Sequence, residues 1–233
     1  MRRLLYVPIV HTESDMGSLA PEIEKENAAL CGQRRWARHK EAVSRFWESI
    51  ESYLSSLDAT NLKIYQDGLA ADGDLGRKIV EESARRGSKN YQIVLQLVNR
   101  GAEIRKTEDV SLLLEEYAQI RNLTTAKSAR ERAREFAKYK LRKEQLTKQR
   151  DQFIAKTINE SLKPGEIAVL FIGAYHNVLP HLAKDIAVKM LKDQERIRAY
   201  FDELLAGHDD DRLFEQLARY LASSIAEPIA VRR

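Results

Sequence analysis

The sequence predicts an α/β protein: a small, mostly parallel central sheet of about four strands, with many helices, one of them long and basic. Three observations carry this. Ile167 to Ile172 is an almost unbroken apolar run with β-branched residues, bounded by Pro164-Gly165 and Gly173, as expected of a strand buried on both faces. Leu4–Val10 and Lys63–Gly68 are further strand-like segments, separated by stretches of helical periodicity. From Thr125 to about Leu162 there is neither glycine nor proline, which predicts one long helix, or two with a bend.

In order, Leu4–Val10 reads as the first strand with His11 at its end, although Pro8 inside it suits an edge or an end better. The polar loop Thr12–Ser18 follows and holds Glu13 and Asp15. Trp36 to Leu57 repeats apolar residues at three- and four-residue spacing, an amphipathic helix. Lys63 to Gly68 is a short strand turning at Asp67-Gly68. Asp72-Gly73-Asp74 is a capping loop, since the rest of a calcium-binding loop is absent. Helices are expected over Gly76–Arg86 and Asn90–Arg100, ended by Gly87 and Gly101, and Ala102–Ile104 is a third short strand. Thr107-Glu108-Asp109 opens a helix with Leu112, Leu113, Tyr117 and Ile120 on its inner face. Leu179–Leu191, Gln194–Leu205 and Asp211–Ile225 are read as helical.

The 233 residues, 43% hydrophobic and 32% charged, suffice for one domain over residues 1–233. Cys31 is the only cysteine. That excludes an internal disulfide and a cysteine-rich metal site and fits a cytoplasmic location. No stretch is apolar enough for a membrane span. The net charge is +4, but ten basic and three acidic side chains lie between Lys127 and Arg150. Residues 125–150 are therefore expected to project from the core as a basic helical segment. His208, beside Asp209, Asp210 and Asp211, reads as an exposed capping turn rather than a cation site.

In parallel sheets, ligands sit beyond the carboxyl ends of the strands. His11 and His176 both fall there. A Gly-x-x-His alone is more often a turn and a structural histidine. However, Arg150-Asp151-Gln152-Phe153-Ile154-Ala155 opening an apolar helix, followed by Gly173-Ala174-Tyr175-His176 at a strand end, resembles the TraB/PrgY, Tiki, ChaN and erythromycin esterase superfamily. The first motif departs from that pattern, with Pro8 where glycine is expected before His11, and Gln66-Asp67 is the counterpart of the acidic residue after the second strand. The resemblance implies an α/β fold with two histidine-bearing strand ends on one cleft, and metal-dependent or hydrolytic chemistry.

On that basis His11, Glu13, Asp15, Arg150 and His176 are the candidate catalytic residues. His11, His176 and Glu13 are the candidate ligands of a divalent transition metal (Mn, Co, Fe or Zn) acting on a small-molecule or peptide substrate. Glu13 or Asp15 would serve as ligand or general base. Arg150 would orient an anionic intermediate or pair with Asp151, and His181 would support the site or lie on the surface. Two alternatives stand beside this. The basic helix would bind nucleic acid or mediate assembly, including homo-oligomers, with Arg130, Arg134, Lys138 and Arg142 as anion contacts. Or the fold would be a catalytically inactive scaffold.

Overall fold

The computed structural model describes residues 1–12, 25, 28–206 and 211–231. Its strands are β1 (Arg2–Ile9), β2 (Leu62–Gln66), β3 (Glu103–Arg105), β4 (Ile167–Gly173), β5 (Ile186–Met190) and β6 (Ile229–Ala230). They form one sheet in the order β3-β2-β4-β1-β5-β6. All neighbours are parallel except β5 and β6. The helices are α1 (Gln33–Ser55), α2 (Gly73–Arg85), α3 (Lys89–Asn99), α4 (Val110–Thr125), α5 (Ala129–Ser161), α6 (Gln194–Ala206) and α7 (Arg212–Ala222).

The period-two alternation of strand side chains divides the core into two layers. On one face Leu5, Val7, Ile9, Ile64, Val169 and Phe171 meet Trp47 and Ile50 of α1, Val94 of α3 and Tyr200 of α6. On the other, Leu4, Tyr6, Tyr65, Leu170 and Ile172 meet Ile154, Ala155 and Ile158 of α5, with Val178 and Leu182. The sheet is thus covered on both sides, as the apolar run of β4 requires.

Among the described residues the sheet has six strands, where about four are expected. The segment Leu179–Leu191 is not a helix: Leu179–His181 forms one 3-10 turn and Ile186–Met190 is β5. Pro180 sits inside the 3-10 turn, and Ile186-Ala187-Val188 is too short to decide its own conformation. Pairing with Arg2–Tyr6 of β1 decides it.

Pro8 lies in an interior strand without losing a ladder bond. Leu191 N donates to Tyr6 O at 2.9 Å, and residues two apart present their backbone groups to the same side. The nitrogen of Pro8 therefore faces past the end of β5, whose register on β1 stops at Tyr6.

The long helix starts later than expected, at Ala129, because Ala126 and Ser128 leave helical geometry. Ser128 Oγ accepts from Glu131 N at 3.1 Å, and a Glu131 carboxylate oxygen accepts from Lys127 N at 3.1 Å. The Ser128 bond is the N-cap arm of a Ser-x-x-Glu start, while the Glu131 carboxylate reaches one residue further back, to Lys127 N instead of Ser128 N. The inner face expected for α4 is also corrected. None of its residues is buried, Leu112 and Leu113 are half-buried, and Tyr117 and Ile120 are exposed. α4 lies along α5 rather than on the sheet, and Arg142 makes a two-pronged contact with Glu115 at 2.7 and 2.9 Å. α5 itself changes character at Leu146, the first buried residue along it; from Ile154 on it docks on the core.

Candidate functional site

The winding of the chain sets the site's position. After β2 the chain enters the layer that holds Val80 and Val94; after β4 it enters the layer that holds Val178 and Leu182. Two neighbouring parallel strands whose connections leave to opposite faces open a crevice at their carboxyl ends. Asp67 follows β2 there, and Gly173 ends β4 with Ala174 to His176 after it.

Asp67 crosses this gap. Its Oδ2 accepts from Gly173 N at 3.0 Å, and its Oδ1 from Arg150 Nη2 at 3.1 Å. Arg150, from α5, also donates to both oxygens of Glu108 at 2.6 and 3.0 Å and to Glu116 at 3.3 Å. The Glu108 side chain has 0% exposure, and its Oε1 accepts from Gly68 N at 3.2 Å. Burial pushes the Glu108 carboxyl above its usual range, and the Arg150 guanidinium pulls it back only in part. Burial opposes the charge on Arg150 as well, but the surrounding carboxylates of Glu108, Asp67 and Glu116 hold it protonated more firmly than usual.

The next residue, Asp151, orients the histidine. Its Oδ1 lies 2.5 Å from His176 Nδ1 and its Oδ2 accepts from Asn177 N at 2.9 Å. The other ring nitrogen, Nε2, faces Asp67 Oδ2 at 3.5 Å. Burial disfavours protonation of His176, but the Asp151 hydrogen bond and the charges of Asp67 and Asp151 outweigh it, so the pKa rises above 6.5. Gly173 makes this approach feasible: a Cβ there would stand 3.3 Å from His176 Cδ2 and 3.4 Å from Asp67 Oδ2.

From the opposite layer, α6 holds the turn. Gln194 Nε2 donates to Ala174 O and His176 O, each at 2.8 Å, and to Tyr6 Oη at 3.0 Å. Arg198 Nε donates to Ala174 O at 2.6 Å.

Of the residues singled out in the sequence, Arg150 and His176 are brought to one site. Arg150 does not pair with Asp151: it bridges Asp67, Glu108 and Glu116, which leaves Asp151 to His176. β1 and β4 are neighbours with Ile9 opposite Gly173, so His11 stands at the expected strand end. It is exposed, whereas His176 is buried against Asp151 and faces Asp67. Glu13 and Asp15 lie outside the described residues, as do His208, Asp209 and Asp210. Asp211 is described, and accepts from Arg35 Nε at 2.7 Å. His181 belongs to the 3-10 turn, where its carbonyl accepts from Asn159 Nδ2 at 3.0 Å.

Sequence reading missed Glu108, which looks like the opening of a helix between Thr107 and Asp109, and gave Asp67 only as a turn residue and a counterpart of the family's acid. Asp67 carries a signal, an acid directly after a buried parallel strand. Glu108 carries none.

Among the described residues no three His, Cys, Asp or Glu side chains are arranged to hold a metal ion. His176 Nε2 and Asp67 Oδ2 are two donors facing each other, short of the three protein ligands of a catalytic zinc-type site. Among the described residues no helix is long and apolar enough to cross a membrane. No protein-family model matches the chain, nor does any curated protein or solved structure.

Proposed function

We propose that the crevice between β2 and β4 is a hydrolytic site in which His176 handles the proton of a water attacking a small-molecule or peptide substrate. The observation that supports this is the Asp151–His176–Asp67 alignment: one ring nitrogen on a buried carboxylate at 2.5 Å, the other turned to the crevice carboxylate at 3.5 Å. In the neutral imidazole, Nδ1–H donates to Asp151. That fixes the tautomer and leaves the Nε2 lone pair as the base, the same division of labour as in a histidine–aspartate pair of a hydrolase. Once Nε2 has taken the proton, Asp67 and Asp151 stabilise the imidazolium. Arg150 holds Asp67 in place and does not face the reacting groups, since its donors already serve three carboxylates.

The superfamily resemblance adds a divalent transition metal (Mn, Co, Fe or Zn) to this reading. In that form His176 Nε2 and Asp67 would be this crevice's ligands, so the metal, and not the imidazole lone pair, would activate the water and polarise the substrate oxygen. The test combines elemental analysis with hydrolysis of chromogenic esters and fluorogenic peptides, metal-free and with each metal in turn. Activity is expected in the wild type and lost in His176→Ala. Its acid limb should lie above pH 6.5 and move down in Asp151→Asn. No turnover of any substrate under any metal condition would sink the proposal.

A further inference from the structure

Residues 110 to 150 hold eleven Lys and Arg against five Glu, a net +6 in a chain of net +4, so the remainder is net −2. The whole positive excess therefore sits on the α4–α5 hairpin. Within it the cations divide into two sets. Arg134 and Lys138 are both paired with Glu135, at 3.2 and 2.8 Å, and Arg142 is held by Glu115. Three of the four anion contacts picked from the sequence are thus already engaged by carboxylates within the molecule, Arg134 and Lys138 sharing the single charge of Glu135.

Arg132, Lys140 and Lys143 are different. All three are exposed, and among the described residues none has a carboxylate within ion-pair distance. At 3.6 residues per turn, Arg132, Phe136, Tyr139, Lys140 and Lys143 share one face of α5. Glu131 and Glu135 point to another side, where each is engaged. Phe136 is 55% exposed in the middle of this face, and Lys143 Nζ lies 5.8 Å from the Tyr139 ring centroid.

We propose that this face of α5 binds single-stranded nucleic acid. Arg132, Lys140 and Lys143 would contact successive phosphates, and the exposed ring of Phe136 would stack a base between them. Cations interleaved with an exposed aromatic are what a sequence-tolerant single-strand surface needs. From Arg132 to Lys143 the face spans about 17 Å at 1.5 Å per residue, room for a few nucleotides. An anionic bilayer fits less well. The aliphatic stripe Val110, Leu114 and Ile120 is on α4, and the only charged residue on that outer ridge is Arg121, whereas interfacial helices flank their apolar stripe with cations.

Fluorescence anisotropy with a labelled dT20 or U20 strand tests this, with the same-length duplex and phosphatidylserine vesicles as competitors. Lys140→Gln/Lys143→Gln is compared with Arg134→Gln/Lys138→Gln, which removes equal charge from the paired cations. The first should weaken binding about tenfold or more and flatten the log–log salt slope by about 1.4, at about 0.7 per phosphate lost. The second should change affinity less than threefold. Phe136→Ala and Phe136→Leu should each cost about tenfold, and Phe136→Tyr should not, if stacking rather than apolar contact is at work. Equal loss in both lysine and arginine–lysine doubles, no effect of Phe136→Leu, or preferential binding to duplex or vesicles would overturn the proposal.

Discussion

Arg150→Met is the most informative perturbation of the fold, because the guanidinium joins α5 to three acidic side chains at once. Methionine roughly keeps the aliphatic stem and deletes five donors. Glu108, with a fully buried side chain, would then keep Gly68 N as a donor but lose its cation. Asp67 would keep only Gly173 N among the donors described above. Breaking a buried pair from one side costs about 3–5 kcal/mol. With an m-value of about 3 kcal/mol/M in urea, this corresponds to a midpoint drop of about 1–1.7 M.

The pH dependence identifies the cause. A carboxyl whose folded pKa is raised binds more protons in the native state, so stability is greatest below its unfolded pKa, 4.5 for Glu108, and falls as pH rises through the folded value. Without Arg150 that folded pKa climbs further. The deficit of the variant should therefore be largest near pH 8 and shrink as pH falls toward 4.5. Adding Glu108→Gln to Arg150→Met should recover a large part of the loss, since the amide needs no counter-charge. Urea titrations of the four proteins of the double-mutant cycle at pH 8 and pH 5 measure this. A single-variant loss below about 1 kcal/mol at pH 8, with no recovery on adding Glu108→Gln, would refute the idea that Arg150 compensates a buried charge.

Asp151→Asn keeps a hydrogen-bond partner for His176 but removes the charge that helps raise its pKa; NMR titration of the imidazole should find it above 6.5 in the wild type and lower in the variant. Since a raised histidine contributes stability below its unfolded pKa that is lost as pH rises through the folded one, the variant should also lose stability mainly on the acid side. Gly173→Ala places a methyl 3.3 Å from His176 Cδ2; it should shift the His176 ring resonances and lower any hydrolytic turnover at least tenfold. The expected loss of stability is only about 1 kcal/mol, and unchanged resonances would show that the turn absorbs the methyl elsewhere. Lys192 is 2% exposed and bonds Tyr220 O, Ser223 O and Ser223 Oγ, with its pKa lowered by burial to about 8. Between about pH 8 and its unfolded value of 10.5, the native state holds fewer protons at this site than the unfolded one. Wild-type stability should therefore gain a rising contribution with pH over that window, absent in Lys192→Met.

What could be read along the chain were the features with a local cause. Six apolar residues between a Pro-Gly turn and Gly173 can only be buried on both faces, which placed β4 in a parallel sheet and His176 at its open end. The periodicities of α1, α3 and α6 likewise state which side of each helix is apolar. The tertiary structure decided the rest, wherever the local signal was weak or its partner distant. Ile186–Met190 became a strand because Arg2–Tyr6 lay beside it. Four α4 residues read as an inner face found no sheet to cover, because the helix aligned on α5. Glu108 became the most buried acid of the site because Arg150, 42 positions away, supplied its counter-charge. A buried charge is tolerable only when its partner arrives in space, and nothing local in a sequence records that arrival.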